Sequence, residues 1–225
     1  MNDARDFPLA IRLLLLSLAA GCVDAIAFID AGVFPANMTG NSVVLAIAIS
    51  HGGGAALAGI AFGGFCAGAA VGSWLVAAPR PGWSSRISMA LALAAALVLA
   101  SAGVIALSGG QFLPGLVAAT SAAMGLQSAA VQQVGVSGVS TVFVTGTLTT
   151  GISRLVRKIR GPMSDLPPAR ETPWLPLLTW AAYFGGAVLG GLNHRLPGGV
   201  AIALPGLLLV AVVILAERTR QRAGK

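Results

Sequence analysis

The stretch FPANMTGN, Phe34 to Asn41, places three polar residues, a proline and a glycine within a few positions of one another, between two long apolar runs. As a loop between two membrane helices it would lie in water. As the interruption of a helix it would lie at membrane depth. Irregular backbone survives there only when it is buried in protein or lines a water-filled cavity. Which of the two holds decides the fold, because a second polar interruption, FVTGT at Phe143 to Thr147, follows in the other half of the chain.

The surrounding composition settles the solvent. Of 225 residues, 56% are hydrophobic and 9% are charged, against about 25% charged in soluble domains. Several segments reach the roughly 20 apolar residues that cross a bilayer. The chain is therefore expected to be an all-α polytopic membrane protein. Its net charge of +7 does not indicate nucleic acid, since there is no basic stripe with interleaved aromatics. Arg154, Arg157, Lys158 and Arg160 suit anionic lipid headgroups instead. Cys22 and Cys66 lie inside apolar runs and suggest neither a disulfide framework nor a metal site. Residues 18–22 loosely resemble a lipoprotein processing box, but the apolar pattern continues through Phe28 and reads as a first membrane helix.

Six segments are long enough to span: 9–29, 55–78, 87–107, 113–134, 173–193 and 197–216. Two others, 39–51 and 141–158, are shorter or more polar. If these two dip in and return to the side they entered from, the N-terminus, loops 79–86 and 154–172 and the C-terminal tail share one face. All but Arg195 of the 14 Lys and Arg residues are then cytoplasmic, as the positive-inside rule favours. Asn41 to His51 as a helix covers about 16 Å, half of a hydrocarbon core of roughly 30 Å.

The halves look alike. AGCVD (20–24) precedes NMTGN (37–41), and MGLQ (124–127) precedes FVTGT (143–147). After each Thr-Gly come a short segment, a glycine-spaced helix and a plain apolar helix. The reading is one membrane domain, 1–225, with repeat one over 1–110 and repeat two over 111–225. Three crossings per repeat make the second copy inverted, an architecture that recurs among transporters and channels. Gly64, Gly68 and Gly72, with Gly186 and Gly190, recur every four residues. That spacing reads first as close helix packing, and second as a path for a solute.

The paired motifs resemble the YoaK-type family of bacterial integral membrane proteins of unknown function. They are Gly21, Asp24 and Ala25 followed by Asn37, Met38, Thr39, Gly40 and Asn41, then Met124, Gly125 and Gln127 followed by Thr145, Gly146 and Thr147. Ser128 stands where that family often has Asn. The resemblance covers nearly the whole chain. It implies a multi-pass protein of the bacterial inner membrane and no known substrate.

Asp24 is the one acid well inside an apolar span. A charge there costs on the order of a few kcal/mol unless paired or hydrated, and such residues mark pathways and proton relays. It is read as a proton-coupling group, with a helix-holding carboxylate as the structural alternative. Gln127 is read as its partner in the second half, for binding or for an interhelical hydrogen bond. Thr39 and Thr145 are read as N-caps, and Gly40 and Gly146 as points of close approach. Both helix starts would then turn positive dipole ends toward an anion or carbonyl-rich solute. The expected binding residues are Asn37, Thr39, Gly40, Asn41, Gln127, Thr145, Gly146 and Thr147. His51 and His194 fall at membrane boundaries, and no metal-ligand spacing or cofactor motif occurs.

The expected function is a small secondary transporter, proton-coupled through Asp24. The alternative is a passive channel with paired half-helices. An enzyme is not expected: a nucleophile and base, or paired acids, are missing. Expected partners are membrane lipids and a small polar or anionic solute. A homo-oligomer is left open.

Overall fold

The computed structural model describes residues 3–52, 55–78, 82–108, 112–136, 144–160, 174–196 and 199–223. Phe143 of the second interruption and parts of the loops 79–86 and 154–172 lie outside the described residues. Within them the chain is all-helical: α1 Asp3–Ala31, α2 Met38–His51, α3 Ala56–Val76, α4 Ser85–Ser108, α5 Leu113–Val134, α6 Val144–Arg160, α7 Leu175–Asn193 and α8 Val200–Ala223.

Five helices, α1, α3, α4, α7 and α8, are long and apolar enough to cross a membrane, so the chain is a multi-pass membrane protein. The span expected over 113–134 is α5, with the same bounds. Its 22 residues give it the length, but it is less apolar than the other five. The reason is its position. It buries Thr120, Ser121, Gln127 and Ser128 against other helices, so much of its surface meets protein rather than lipid. The two short segments are helices as well, α2 with 14 residues and α6 with 17. At 1.5 Å per residue they reach about 21 and 25 Å.

The two tightest helix pairs link the halves of the chain: α1 lies on α7, and α5 lies on α3. Glycines make both contacts. A Cβ placed on Gly186 would overlap the Leu18 carbonyl, and one on Gly68 would overlap the Ala122 carbonyl. Facing them, a Cβ on Gly21 would meet the Tyr183 carbonyl, and one on Gly125 would meet the Phe65 carbonyl. Backbone lies against backbone at all four positions, which only a missing side chain permits. The glycine-spaced faces are thus occupied by helices. Gly64 and Gly190 meet the Ala118 and Cys22 carbonyls in the same way, and Gly72 packs against Ala129 and Leu126. Cys22 is fully buried in this packing. Around the two pairs, α4 packs on α5 and α8, α8 on α1, α2 on α3 and α6 on α7.

Polar contacts fix which helix ends lie together. The Arg12 guanidinium, near the start of α1, sits 4.5 Å from the centre of the Trp83 ring. Trp83 Nε1 donates to Ser88 Oγ at 3.2 Å, and Glu217 near the end of α8 bonds Ser88. Gln133 near the end of α5 donates to the Ala78 carbonyl after α3. At the opposite end, Asp30 of α1 meets His194, which caps α7, at 2.6 Å. There the backbone at Gly199 crosses the Ala102 carbonyl of α4.

Candidate functional site

The interruption after α1 is built from side chains that satisfy its backbone. Gly32 adopts a positive φ of 67° and ends the helix, a conformation glycine reaches without strain. Phe34 stacks on Phe28 with ring centroids 4.6 Å apart. Asn41 is fully buried and reaches back across the break. Its Oδ1 accepts from the Phe34 amide at 2.8 Å and its Nδ2 donates to the Phe34 carbonyl. Pro35 has no amide to satisfy. The next two amides, Ala36 and Asn37, both go to Asp24. Asn37 then caps α2, its Oδ1 accepting from the Gly40 amide at 3.1 Å. The cap is therefore Asn37, and Thr39 sits inside the first turn. Likewise Thr145 is the second residue of α6, not its cap. Asn is among the strongest N-cap residues, and here its φ of −92° and ψ of 84° keep it outside the helix.

Asp24 is 2% exposed and serves as the hub of this region. Oδ1 accepts from the Ala36 amide at 2.6 Å, and Oδ2 accepts from the Tyr183 hydroxyl at 2.6 Å. The carboxylate thus joins α1, the break before α2, and α7. All three partners are donors, which suits an acceptor-only carboxylate.

Beside it lies a cavity of about 440 Å³, lined by Ala36, Asn37, Met38, Thr39, Gly40, Val43, Phe65, Thr145, Gly146 and Tyr183. The starts of α2 and α6 therefore face the same space. Of the residues expected from sequence, the structure brings Asn37, Thr39, Gly40, Thr145 and Gly146 together on this wall. Gly146 has open space where a Cβ would go, whereas Gly40 is covered by the Phe34 ring. Asp24, Asn41, Gln127 and Thr147 are not on the wall and are buried behind it. Gln127 donates from Nε2 to the Leu16 carbonyl at 3.0 Å, which ties α5 to α1. Among the described residues, no Lys, Arg, His, Asp or Glu lines the cavity. Its polarity comes from amide and hydroxyl groups, and from two helix starts that carry partial positive charge.

The glycine crossings run in the same register in both helix pairs. Gly21 faces Tyr183 as Gly125 faces Phe65. Three positions after Gly21 is Asp24, and three after Gly125 is Ser128. By that register Ser128 lies at the offset of Asp24, and Gln127 at the offset of Val23. Tyr183 and Phe65 both line the cavity, and neither was singled out above. The signal was present, since each aromatic lies three residues before a packing glycine, Gly186 or Gly68.

A second cavity, of about 360 Å³, lies at the far end of α1 between Ile26, Asp30, Ile105, Leu116, His194 and Ile202. Among the described residues, no group of three or more His, Cys, Asp or Glu side chains could hold a metal.

A family model described as "Protein of unknown function (DUF1275)" matches residues 12–215. The UPF0700 transmembrane protein YoaK of Bacillus subtilis (strain 168) is 35% identical over 146 residues. That match covers 60% of this chain and 62% of the Bacillus protein, so it spans less than two thirds of that relative. No solved structure matches. With both Thr-Gly motifs and both glycine crossings inside the matched residues, the chain belongs to the DUF1275 family, the YoaK type expected from its motifs.

Proposed function

We propose that the chain is a small secondary transporter of a polar or anionic solute, bound between the starts of α2 and α6 and proton-coupled through Asp24. The observation that carries this is the cavity itself. Two short helices, one from each half of the chain, begin at its wall with Thr39–Gly40 and Thr145–Gly146. A buried acid lies one hydrogen bond behind it, through Tyr183. Paired helix starts that aim positive dipole ends at a solute, with an ionisable group alongside, are the working parts of known transporter sites.

The grouping of helix ends supports six crossings with two half-helices. The starts of α1 and α4 and the ends of α3, α5 and α8 share one end of the bundle. Gly151, midway along α6, packs on Leu177 at the start of α7, which supports a close of α6 at that same end, since α7 finishes beside Asp30. The basic residues follow this grouping, and the cytoplasmic side is assigned to it. The matched crossings at Gly21 and Gly125, and at Gly186 and Gly68, support an inverted repeat. A bacterial inner-membrane location with both termini cytoplasmic completes the proposal, with lipid as its standing partner and no enzymatic step.

One observation favours a passive channel instead. The three donors on Asp24 suit a permanently ionised carboxylate whose work is to hold the break. The two readings separate in proteoliposomes containing the full chain, screened for uptake of nitrate, formate, acetate and phosphate with and without an imposed pH gradient. A transporter saturates and follows the gradient. A channel does neither, and absence of flux for all four anions removes the anion reading.

A further inference from the structure

Asp24 does not line the cavity, so whatever it contributes there must pass through another group. Its Oδ1 is taken by the backbone amide of Ala36 in the break, which cannot change partners without moving the approach to α2. Its Oδ2 is held by one side chain, the Tyr183 hydroxyl, at 2.6 Å. Tyr183 is also a wall residue of the cavity. Tyr183 therefore bonds the acid through its hydroxyl and belongs to the wall of the space where a solute would sit. Among the described residues, the rest of the wall brings no titratable group: α2 and the segment before it contribute Ala36, Asn37, Met38, Thr39, Gly40 and Val43, α3 contributes Phe65, and α6 contributes Thr145 and Gly146. In the corresponding place of the other half stand Phe65 and Ser128, which offer neither phenol nor acid.

We propose that Tyr183 is the residue that couples Asp24 to the cavity, its single hydroxyl proton shared in turn between the carboxylate and a solute that presents a hydrogen-bond acceptor. A phenol has one proton to donate. While Asp24 is ionised, that proton is committed to Oδ2 and the solute loses its donor. When Asp24 takes up a proton, the phenol passes its own proton to Oδ2 and receives one from a hydronium ion entering the cavity, which leaves as water, so Tyr183 ends neutral and Asp24 carries the added proton. Asp24 then no longer requires a donor on that oxygen, and the phenol can turn to an oxygen of the solute. Solute and proton are thereby favoured together. The solute class this selects is a small carboxylate, oxyanion or carbonyl compound, because a cation or a pure donor gains nothing from the released hydroxyl. The inference rests on the transport reading above and names the group through which it operates.

Tyr183 is the sole tyrosine of the chain, which makes a direct test available. Biosynthetic incorporation of 3-fluorotyrosine labels this one position, and its fluorine resonance can be followed in the full chain in lipid nanodiscs. In the unsubstituted sequence the resonance is expected to move with pH and, at the acid limit, to move again on adding sodium formate, saturably. In Asp24→Asn the pH-dependent movement is expected to be lost. In Phe65→Tyr, a second resonance should appear that does not follow pH. A resonance indifferent to pH in the unsubstituted chain, or one that moves equally in Asp24→Asn, overturns the proposal. Should Asp24→Asn fail to fold, Asp24→Glu replaces it, and an unchanged pH midpoint there counts against the coupling. Gradient-driven uptake that needs Asp24 beside an indifferent fluorine resonance would sink this inference and leave the transport reading standing. A pH-linked resonance with no uptake of any anion would do the reverse.

Discussion

The starts of α2 and α6 face one cavity, yet they are held there by different chemistry. On the α1 side an acid, a phenol and two asparagines fix the approach to α2: Asp24 takes the Ala36 and Asn37 amides, Tyr183 takes Asp24, Asn41 spans Phe34, and Asn37 caps the helix. On the α5 side the corresponding residues are Ser128 and Phe65, and α6 is amphipathic and basic where α2 is apolar. The glycine crossings, by contrast, match residue for residue. Packing is duplicated between the halves and ionisable chemistry is not. Matched crossings with an acid beside one of the two helix starts suit the proposed proton coupling, since protonation then changes one side of the cavity only.

The largest effect expected from breaking this comparison is at Asp24. Asp24→Ala leaves the Ala36 amide and the Tyr183 hydroxyl without an acceptor. At about 1–3 kcal/mol for each unsatisfied group, roughly 2–6 kcal/mol is lost. Ser128→Ala should cost about 1 kcal/mol or less. Thermal unfolding of the two variants in detergent measures the contrast, and equal losses would mean that Asp24 does not hold the break.

A smaller but matched effect is expected at the crossings. Gly68→Leu and Gly186→Leu each drive a side chain into a facing carbonyl and should each cost about 3 kcal/mol. Gly185→Leu points into open space and should be tolerated. Unequal losses at Gly68 and Gly186 would undo the equivalence of the two pairs.

The smallest effect is expected at the far end of α1. Asp30 and His194 are 44% and 32% exposed, and exposed pairs contribute about 0–1 kcal/mol. Asp30→Asn should therefore shift the unfolding midpoint very little. A large shift would move attention from the cavity at the two helix starts to the one beside Asp30.

Much of this arrangement was legible in the residues, for physical reasons. Apolar length and the rarity of charge announce membrane helices. The four-residue glycine spacing announces close crossings, and two Thr-Gly interruptions announce a shared feature. What stayed hidden depended on register. Gln127 lies near the offset of Asp24, but the register of the crossings puts Ser128 there, and a one-residue offset turns a helical side chain by about 100°. Thr39 looked like a cap because Thr-Gly opens the short helix. Asn37 takes that part because the two amides ahead of α2 are drawn to Asp24 and set where the helix begins. Tyr183 carries no motif of its own. Its importance appears only when α7 is laid on α1 and its hydroxyl meets the carboxylate.

The most direct test of the central claim is solute uptake by proteoliposomes under an imposed pH gradient, acid outside, comparing the unsubstituted chain with Asp24→Asn. Asn keeps an oxygen for the Ala36 and Asn37 amides and an NH₂ that the Tyr183 oxygen can accept from, so the break should stay built. Proton-coupled transport predicts uptake that rises with the gradient in the unsubstituted chain, and loses that response in Asp24→Asn. Gradient-driven uptake that persists unchanged in Asp24→Asn would contradict it.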